Sequence, residues 1–401
     1  MKILYVSPMG YVEGHYSTTA IKETEALAEA GHDVTLLSFA GVLDENIPHH
    51  ARHLTVVSQA RWQRRLVKLN ASPALRALVG SITILLTCIV AARLTRKYKI
   101  DVIHCESSLW FGIIHLQILG IMFKGQAWAV QMLAIPERTP VLKRMNRLNK
   151  IKTVYVNSFK KSKYVYLCSD SEVELYYNRF LGGVMRGRIY KVCPTVDPPY
   201  SNSCPSKEDS KAYFGITPGR SVFLSFGTPH PGKDVKVVLE ALHETPGAVL
   251  LHGGKAAPKV ARIFADSAEI VRGDYIFNNT YVTERDKPYY FRAADATILS
   301  YTADFTSAAS MIWESCRFET PVIASDNPQI SEIVLKYNIG LVFKAQDKGS
   351  LKQTISRFMS LSPDDINTFK KGCKAFTNDF SHQAWAKQML EIYKNLLKQQ
   401  V

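Results

Sequence analysis

Short apolar runs alternate with longer amphipathic segments along the chain, a pattern that predicts strands separated by helices. Near the start, the runs KILYVS and DVTLLSF flank the segment STTAIKETEALAEAG, which opens on hydroxyl residues and closes on a glycine, as helices often do. Three further runs, KIDVIHCES, QAWAVQML and KYVYLCSD, repeat the strand signal up to residue 170. Strand, helix and strand in this order form the unit of a parallel sheet, so the first half is predicted to be doubly wound α/β.

The same alternation restarts after the segment CPTVDPPYSNSCPSKEDS, whose proline, serine and charge are typical of a linker. Beyond it, the runs SVFLSFG, GAVLLHGG, DATILSY, PVIASD and GLVFK predict a second parallel sheet. We therefore expect two Rossmann-like domains, at 1–195 and 196–380, that face one another across a cleft and bind ligands at the carboxyl ends of their strands. The last segment, 381–401, is predicted to be a helix that packs back on the first domain.

Length and composition fit a globular protein of two domains. The chain has 401 residues, of which 46% are hydrophobic and 21% charged. Its 7 cysteines include no CxxC pair, which argues against a disulfide framework or a zinc site and favours a reducing compartment. The opening residues, MKILYVSPMG, read as a first strand and not as a signal peptide. We expect a cytoplasmic location.

Positive charge is concentrated in the first half of the chain. The net charge is +15, and residues 1–200 hold 26 Lys and Arg against 14 Asp and Glu. No acidic residue occurs between Pro48 and Ile100. Within that stretch, basic side chains interleave with an aromatic one in a basic patch formed by Arg61, Trp62, Arg64, Arg65 and Lys68. Such a surface attracts anionic lipid headgroups, so we expect peripheral attachment to the inner face of the cell membrane. A solvated basic face without a partner is the alternative.

The apolar run that follows this patch is short for a membrane span. It covers 77–92, which is 16 residues between Arg76 and Arg93, whereas roughly 20 are needed to cross a bilayer. We interpret it as a helix packed in the core beside an interfacial patch. The sequence contains no helix-turn-helix, RNA-recognition or zinc-finger signature, so nucleic acid is not an expected partner.

Four motifs in the second half carry a family resemblance. They are SFGTPHPGKDVKVVLEAL, LLHGG, YYFRAADATILSY and SAASMIWESCRFETPVIASDNPQISEIV, in this order. Together they resemble the C-terminal domain of the nucleotide-sugar glycosyltransferases of family 4, which have the GT-B fold. In the first half, SPMGYVEGHYSTTAIKETEALAEAGHDVTLLS and DVIHCES match that family in outline. The resemblance implies a retaining hexosyltransferase without a cofactor, and the absence of a DxD motif agrees with a metal-independent reaction.

The resemblance assigns two catalytic residues. Lys233 follows Gly227 by six residues, as the family's phosphate-binding lysine follows its strand-end glycine. It would stabilise the negative charge that grows on the leaving diphosphate. Glu314 takes the position of the carboxylate that accepts hydrogen bonds from the ribose hydroxyls, with a solvent-facing helix glutamate as the alternative. The donor-binding positions are Gly14, Gly227, Thr228, Gly253, Gly254, Tyr281, Val282, Thr306, Ser307 and Ala308. The family reads the nucleobase through backbone near Tyr281, so UDP and GDP donors both stay open.

Three positions depart from the family pattern. Thr228 replaces an arginine, which removes one positive charge from the phosphate site, and Thr306 replaces a glutamate that holds the donor sugar. Gln131 stands near the end of a strand where the family commonly has a histidine. The candidate contacts to a sugar or an acceptor are therefore His15, Glu106, Gln131 and Asp304. The donor sugar is left open by these changes.

The sequence thus predicts an enzyme that transfers a sugar from a UDP- or GDP-sugar to a lipid-linked saccharide or glycolipid acceptor held by the first domain. Two other classes stay open. A catalytically silent GT-B protein that adheres to membranes is suggested by the three altered positions, although Lys233 and Glu314 argue against it. A sugar-nucleotide epimerase shares the fold, but the basic patch would have no purpose there.

Overall fold

The chain folds into two compact units, seen in a computed structural model. One unit is formed by Met1–Thr195 together with His382–Val401, and the other by Val196–Ser381. The structure describes residues 1–7, 15–38, 54–58, 73–106, 126–132, 163–168, 174, 178, 188–192, 195–196, 204–229, 232–256, 260–263, 275–303, 305 and 310–398.

Strands and helices alternate through both units. Up to residue 195 the elements are β1 (Lys2–Ser7), α1 (His15–Glu29), β2 (Asp33–Ser38), β3 (Leu54–Ser58), α2 (Pro73–Tyr98), β4 (Val102–Cys105), β5 (Ala127–Met132), β6 (Lys163–Cys168) and β7 (Ile189–Lys191). From there they are α3 (Lys207–Tyr213), β8 (Ser221–Phe226), α4 (Val235–His243), β9 (Ala248–Gly253), β10 (Tyr275–Asn278), α5 (Lys287–Ala293), β11 (Ala296–Leu299), α6 (Ser310–Arg317), β12 (Val322–Ser325), α7 (Pro328–Tyr337), β13 (Gly340–Phe343), α8 (Lys348–Met359), α9 (Pro363–Asp379) and α10 (His382–Lys398).

The two sheets share the same order over six strands, and the first sheet has a seventh strand at one edge. Among the described residues, the first sheet runs β3-β2-β1-β4-β5-β6-β7 and the second β10-β9-β8-β11-β12-β13. Every pair of neighbouring strands is parallel. The order reverses between β1 and β4 in the first sheet and between β8 and β11 in the second, and such switch points are where open α/β sheets bind ligands. The predicted pair of Rossmann-like sheets is confirmed.

Alternation along β1 explains why its sheet is covered on both faces. Ile3 and Tyr5 are fully buried in a cluster that includes residues of α1 and α10. Leu4 and Val6 point to the opposite face, where they pack with residues of α2. Both faces are apolar, as expected for a parallel sheet between two helical layers. In the second unit, Phe223 of β8 packs with α4 and α8, whereas its neighbours in the strand face α5, α6 and α9.

The apolar run at 77–92 lies within α2. Cys88, Ala91, Ala92 and Leu94 are buried in the core of the first unit, beside residues of β1 and β4. Over the described residues, no helix is both long and apolar enough to cross a membrane. The C-terminal half of α2 is thus a core helix.

The predicted linker ends sooner than its composition suggested. Ser206 caps α3 by accepting a hydrogen bond of 3.0 Å from the backbone N–H of Asp209. Within the same helix, the hydroxyl of Ser210 donates to the carbonyl of Ser206 at 2.7 Å. The serine and charge that indicated a linker at 206–210 therefore belong to the first turn of a helix.

Candidate nucleotide-sugar site

At the switch point of the second sheet, the segment that follows β8 pairs with the segment that follows β11. After β8 the chain comes back beside the end of β11, where Lys233 and Tyr301 form an antiparallel bridge. The backbone N–H of Asp234 donates to the carbonyl of Ser300 at 2.7 Å, next to this bridge. Asp234 then caps α4 through Val237 N–H at 3.2 Å. The pairing holds Lys233 at the carboxyl edge of the sheet, as the sequence predicted for a residue of a ligand site.

Lys233 is held by neutral groups. Its Nζ donates to the carbonyl of Phe226 at 3.1 Å and lies 5.7 Å from the centre of the Tyr301 ring. Part of the side chain reaches the surface, but enough protein surrounds the ammonium that burial lowers the pKa of Lys233 to about 8. An incoming anion would favour the charged form again, so this position is suited to a phosphate.

Three glycines let the ends of β8, β9 and β10 approach closely. Gly227 N–H donates to the carbonyl of Gly253 at 2.9 Å, and Gly254 N–H donates to the carbonyl of Asn278 at 3.1 Å. A Cβ at Gly254 would lie 2.3 Å from the carbonyl oxygen of Gly227, and one at Gly253 would lie 2.4 Å from a ring carbon of Tyr290. Close packing requires Gly253 and Gly254, whereas Gly227 is favoured by its φ of 81°. The N–H groups of Gly227 and Gly254 already donate within the protein.

His252, which was not predicted from the sequence as a site residue, contacts this glycine turn and the neighbouring strand β8 through its two ring nitrogens. His252 Nε2 lies 3.1 Å from the carbonyl oxygen of Gly254, and Nδ1 lies 3.2 Å from Ser225 Oγ. A carbonyl only accepts, so Nε2 carries the proton. Burial lowers the pKa of His252 to about 4, which keeps the imidazole neutral beside Lys233. In the sequence, the feature that marks His252 is its position directly before the two glycines of the run GAVLLHGG.

The helix that carries Glu314 begins beside the same glycine turn. Met311 of α6 has its sulfur 3.6 Å from the position that a Cβ would take at Gly227. Glu314 lies one turn further along α6, with a quarter of its side chain exposed. Its Oε1 lies 3.2 Å from Lys287 Nζ and its Oε2 lies 3.7 Å from Arg317 Nη1. Glu314 is thus paired, and the solvent-facing alternative does not describe it.

Four charged side chains form what we call the Glu314 cluster: Glu284, Lys287, Glu314 and Arg317. Lys287 Nζ lies 2.5 Å from Glu284 Oε1, and Arg317 Nη1 lies 3.8 Å from Glu284 Oε2. Burial disfavours the charged form of Lys287, but the carboxylates of Glu314 and Glu284 outweigh it and raise the pKa. The sequence did not point to Lys287 or Arg317, because their meeting depends on how α5 packs near α6.

The predicted base-reading segment is open to a ligand. Tyr281 is 75% exposed, whereas Val282 is buried. Across the described residues, neither residue takes part in a backbone hydrogen bond. Thr228, which replaces the family's arginine, is exposed at the end of β8. Among the described residues, the backbone groups of Tyr281 and Val282 thus have no backbone partner.

In the first unit, Glu106 and Gln131 belong to a buried polar group at the sheet's switch point. Ser7 Oγ donates a short hydrogen bond to Glu106 Oε2, while Glu106 Oε1 has no hydrogen-bond partner within the described part of the chain. Glu23 accepts from Tyr5 Oη at 2.6 Å and from Gln131 Nε2 at 3.5 Å. Burial raises the pKa of Glu106 to about 8. Burial, together with the nearby carboxylate of Glu106, also raises the pKa of Glu23 to about 8.

The remaining predicted positions have no described side chain. His15 is the first residue of α1. The other positions lie outside the described residues: Gly14, Asp304, Thr306, Ser307, Ala308, and the basic patch of Arg61, Trp62, Arg64, Arg65 and Lys68.

A comparison with family models identifies the second unit. Residues 206–374 match the model described as Glycosyl transferases group 1. The second unit therefore carries a glycosyl transferases group 1 domain, and it holds Lys233 and Glu314. Membership of family 4 in particular stays a prediction. A comparison with curated protein sequences finds no match.

Solved structures resemble this chain along its whole length. A glycosyltransferase from Rickettsia africae ESF-5 has 17% identity and a TM-score of 0.72, with 100% of this chain and 99% of that chain covered. HepE from Anabaena in complex with UDP has 15% identity and a TM-score of 0.71, with 98% and 100% covered. WaaG, a glycosyltransferase involved in lipopolysaccharide biosynthesis, has 14% identity and a TM-score of 0.64, with 98% and 99% covered. The predicted GT-B fold is confirmed.

Proposed function

We propose that this protein is a family 4 glycosyltransferase that moves a sugar from a UDP- or GDP-sugar to a lipid-linked saccharide or glycolipid at the membrane. The observation that carries the proposal is Lys233, a buried cation with a neutral protein acceptor, at the switch point of a sheet whose domain matches group 1. The similarity to HepE, whose structure was solved with UDP, supports a nucleotide-sugar donor.

In the proposed reaction Lys233 stabilises the leaving group. The bond between the anomeric carbon and the diphosphate oxygen breaks, and the electron pair stays on the diphosphate. The acceptor oxygen forms the new glycosidic bond, and its proton passes to the departing diphosphate oxygen. A lysine of lowered pKa regains its full charge as the diphosphate becomes more negative, so its interaction is strongest in the transition state. No metal is needed for this stabilisation.

Glu314 holds the nucleotide through its ribose in this proposal. The carboxylate is charged in the Glu314 cluster, so it can accept hydrogen bonds from both ribose hydroxyls. Exposed Tyr281 and the free backbone of Val282 supply contacts to the base. The segment that contains Thr306, Ser307 and Ala308 would contact the phosphates or the sugar, and the family resemblance implies retention of configuration.

The acceptor is assigned to the first unit and the membrane surface. Glu106 and Gln131 lie at the carboxyl ends of neighbouring strands, where open α/β sheets bind ligands. His15 and Asp304 are further candidates. The basic patch would attach the enzyme to anionic lipid at the inner face of the cell membrane. The involvement of the similar WaaG in lipopolysaccharide biosynthesis supports an acceptor of this class.

Binding calorimetry with UDP, GDP, ADP and their sugar conjugates tests the donor. We expect selective binding of one nucleotide, at least tenfold weaker in Glu314→Ala, with Glu332→Ala on α7 as a control that binds normally. If none of the nucleotides binds, the donor proposal fails and a silent membrane-adhering protein becomes the better account.

Liposome sedimentation tests the membrane surface. We expect the wild type to bind anionic vesicles, and the triple variant Arg61→Ser, Arg64→Ser, Arg65→Ser to be released while it still turns over a soluble donor. Unchanged vesicle binding in this variant would remove the basic patch from the proposal.

A further inference from the structure

Lys287 is placed differently from an ordinary surface lysine. Only 15% of its side chain is exposed, and its Nζ lies between two carboxylates, 2.5 Å from Glu284 Oε1 and 3.2 Å from Glu314 Oε1. It is the first residue of α5, a helix anchored by the buried side chains of Tyr290 and Phe291. The base of the Lys287 side chain is therefore fixed to the core.

The two carboxylates on Lys287 differ in their contact with water. Glu284 has 65% of its side chain exposed, so solvent screens its pairing with Lys287. Glu314 has 25% exposed, and its interaction with the same ammonium is screened less. Loss of Lys287 would leave Glu314 with a more distant cation, Arg317, at 3.7 Å. Lys287 is thus the main polar contact that orients Glu314 within the described structure.

The two oxygens of Glu314 are used unequally. Oε1 accepts from Lys287, whereas Oε2 is buried and accepts no hydrogen bond from any described residue. The nearest cation to Oε2 is Arg317, at 3.7 Å, so the carboxylate is held between Lys287 and Arg317. A ribose hydroxyl would therefore meet a carboxylate whose rotamer is already fixed.

We propose that Lys287 is a positioning residue that holds the Glu314 carboxylate, through Oε1, in the rotamer that accepts the ribose hydroxyls of the donor nucleotide. This inference rests on the proposed function, since it assigns Glu314 to the ribose. Lys287 does not touch the nucleotide itself, and its effect on affinity passes entirely through the ribose hydroxyls. The Glu314 cluster has as many positive as negative side chains, so Lys287 also holds Glu314 without adding net charge near the diphosphate.

The experiment compares ribose and dideoxyribose ligands. Calorimetry on the full chain measures the affinity of UDP, GDP and ADP, each beside its 2′,3′-dideoxy analogue. For the nucleotide that binds, we expect Lys287→Met to weaken the ribose form about tenfold and to leave the affinity of the dideoxy form unchanged. Lys287→Arg should restore most of the loss, because it can still donate to Oε1.

Two controls separate this effect from a general loss of structure. Lys236→Met, at an α4 lysine with 74% of its side chain exposed, should bind both forms like the wild type. Thermal unfolding checks that Lys287→Met is folded, and Lys287→Gln replaces it if it is not. An equal loss for ribose and dideoxy forms, or no loss in either, would overturn the positioning role while leaving the proposed function standing. No binding of any nucleotide to the wild type would overturn both.

Discussion

The ammonium of Lys233 lies 3.1 Å from the carbonyl oxygen of Phe226, the last residue of β8. A carbonyl holds the cation in place without neutralising it. Lys233 is therefore a largely buried charge whose burial is only partly compensated within the second unit. Its protonation should be visible in the stability of the protein before any ligand is added.

The first prediction concerns this protonation. Burial lowers the pKa of Lys233 to about 8 from an ordinary value of 10.5, so between these two values the unfolded chain binds more protons than the folded one. The free energy of unfolding should therefore rise with pH across this range, by about 1–3 kcal/mol from this residue. Urea denaturation at pH 7.5 and pH 10 should show the rise in wild type and lose it in Lys233→Met. Lys236→Met should keep it, and parallel profiles for all three proteins would contradict the assignment.

A second prediction concerns the buried carboxyls of the first unit. Burial raises the pKa of Glu106 and of Glu23 to about 8, well above the usual range of a carboxyl. Their stabilising effect is full at low pH and is lost as pH rises toward 8, since over this range the unfolded chain has released protons that the folded state still holds. Glu106→Gln should remove about half of this loss of stability, because Glu23 still titrates. The half that is removed amounts to about 1–3 kcal/mol.

Thermal unfolding at pH 5 and pH 8.5 measures the effect. Glu106→Gln should raise the midpoint relative to wild type at pH 8.5 and leave it nearly unchanged at pH 5. Glu391→Gln, at an exposed position of α10, serves as the matched control without an effect. A uniform shift at both pH values would indicate a packing change and not a titration.

A third prediction separates two costs of replacing a glycine. Gly254 and Gly219 both have positive φ, of 143° and 84°, but only Gly254 has neighbours within reach of a new Cβ. Gly219→Ala should cost about 1 kcal/mol of stability, from the backbone conformation alone. Gly254→Ala should cost about 3 kcal/mol or more, because its Cβ would displace the Gly227 carbonyl. Chemical denaturation of both variants tests this, and similar costs would mean that the turn yields easily.

A fourth prediction concerns a strained residue between α6 and β12. Glu319 has a φ of 56°, a conformation that costs a non-glycine residue about 1 kcal/mol. Glu319→Gly should stabilise the protein by about 0.5 kcal/mol, since its ion pair is with a lysine, Lys374, that is 58% exposed and is therefore worth little. Asn338→Gly, at a φ of 50°, should gain less because asparagine tolerates this region. Denaturation midpoints decide between them, and a destabilised Glu319→Gly would assign real weight to the Lys374 pair.

The fold was predictable because its signal is local and repeated. Runs such as SVFLSF are mostly apolar, as strands covered on both faces are, and this one is followed by an amphipathic helix. Lys233 was found from its spacing to Gly227, and both lie in one loop. Such short-range relations can be read from the sequence, and in the structure a Cβ at Gly227 would lie 3.8 Å from Lys233 Nζ.

The rest of the site depends on relations between distant segments. Lys287 meets Glu314 across 27 positions of sequence because α5 and α6 pack in one core. Glu23 of α1 accepts hydrogen bonds from Tyr5 of β1 and from Gln131 of β5. No period or motif marks these residues, since their side chains are defined by packing. The family resemblance also placed Gly227 and Gly254 among the donor-binding positions, whereas their N–H groups are used to join strand ends.

The position of α10 in the chain also determines which unit can be completed first during synthesis. This helix follows the whole second unit in the chain, yet Trp385, Met389 and Tyr393 are buried in the core of the first unit. Tyr393 Oη lies 2.6 Å from His104 Nδ1, a residue 289 positions earlier. During synthesis, the first sheet emerges well before the helix that covers one of its faces, so that face waits while the second unit is made. The half that is begun first is completed last, and its apolar face is the part of the nascent chain that most needs protection from aggregation.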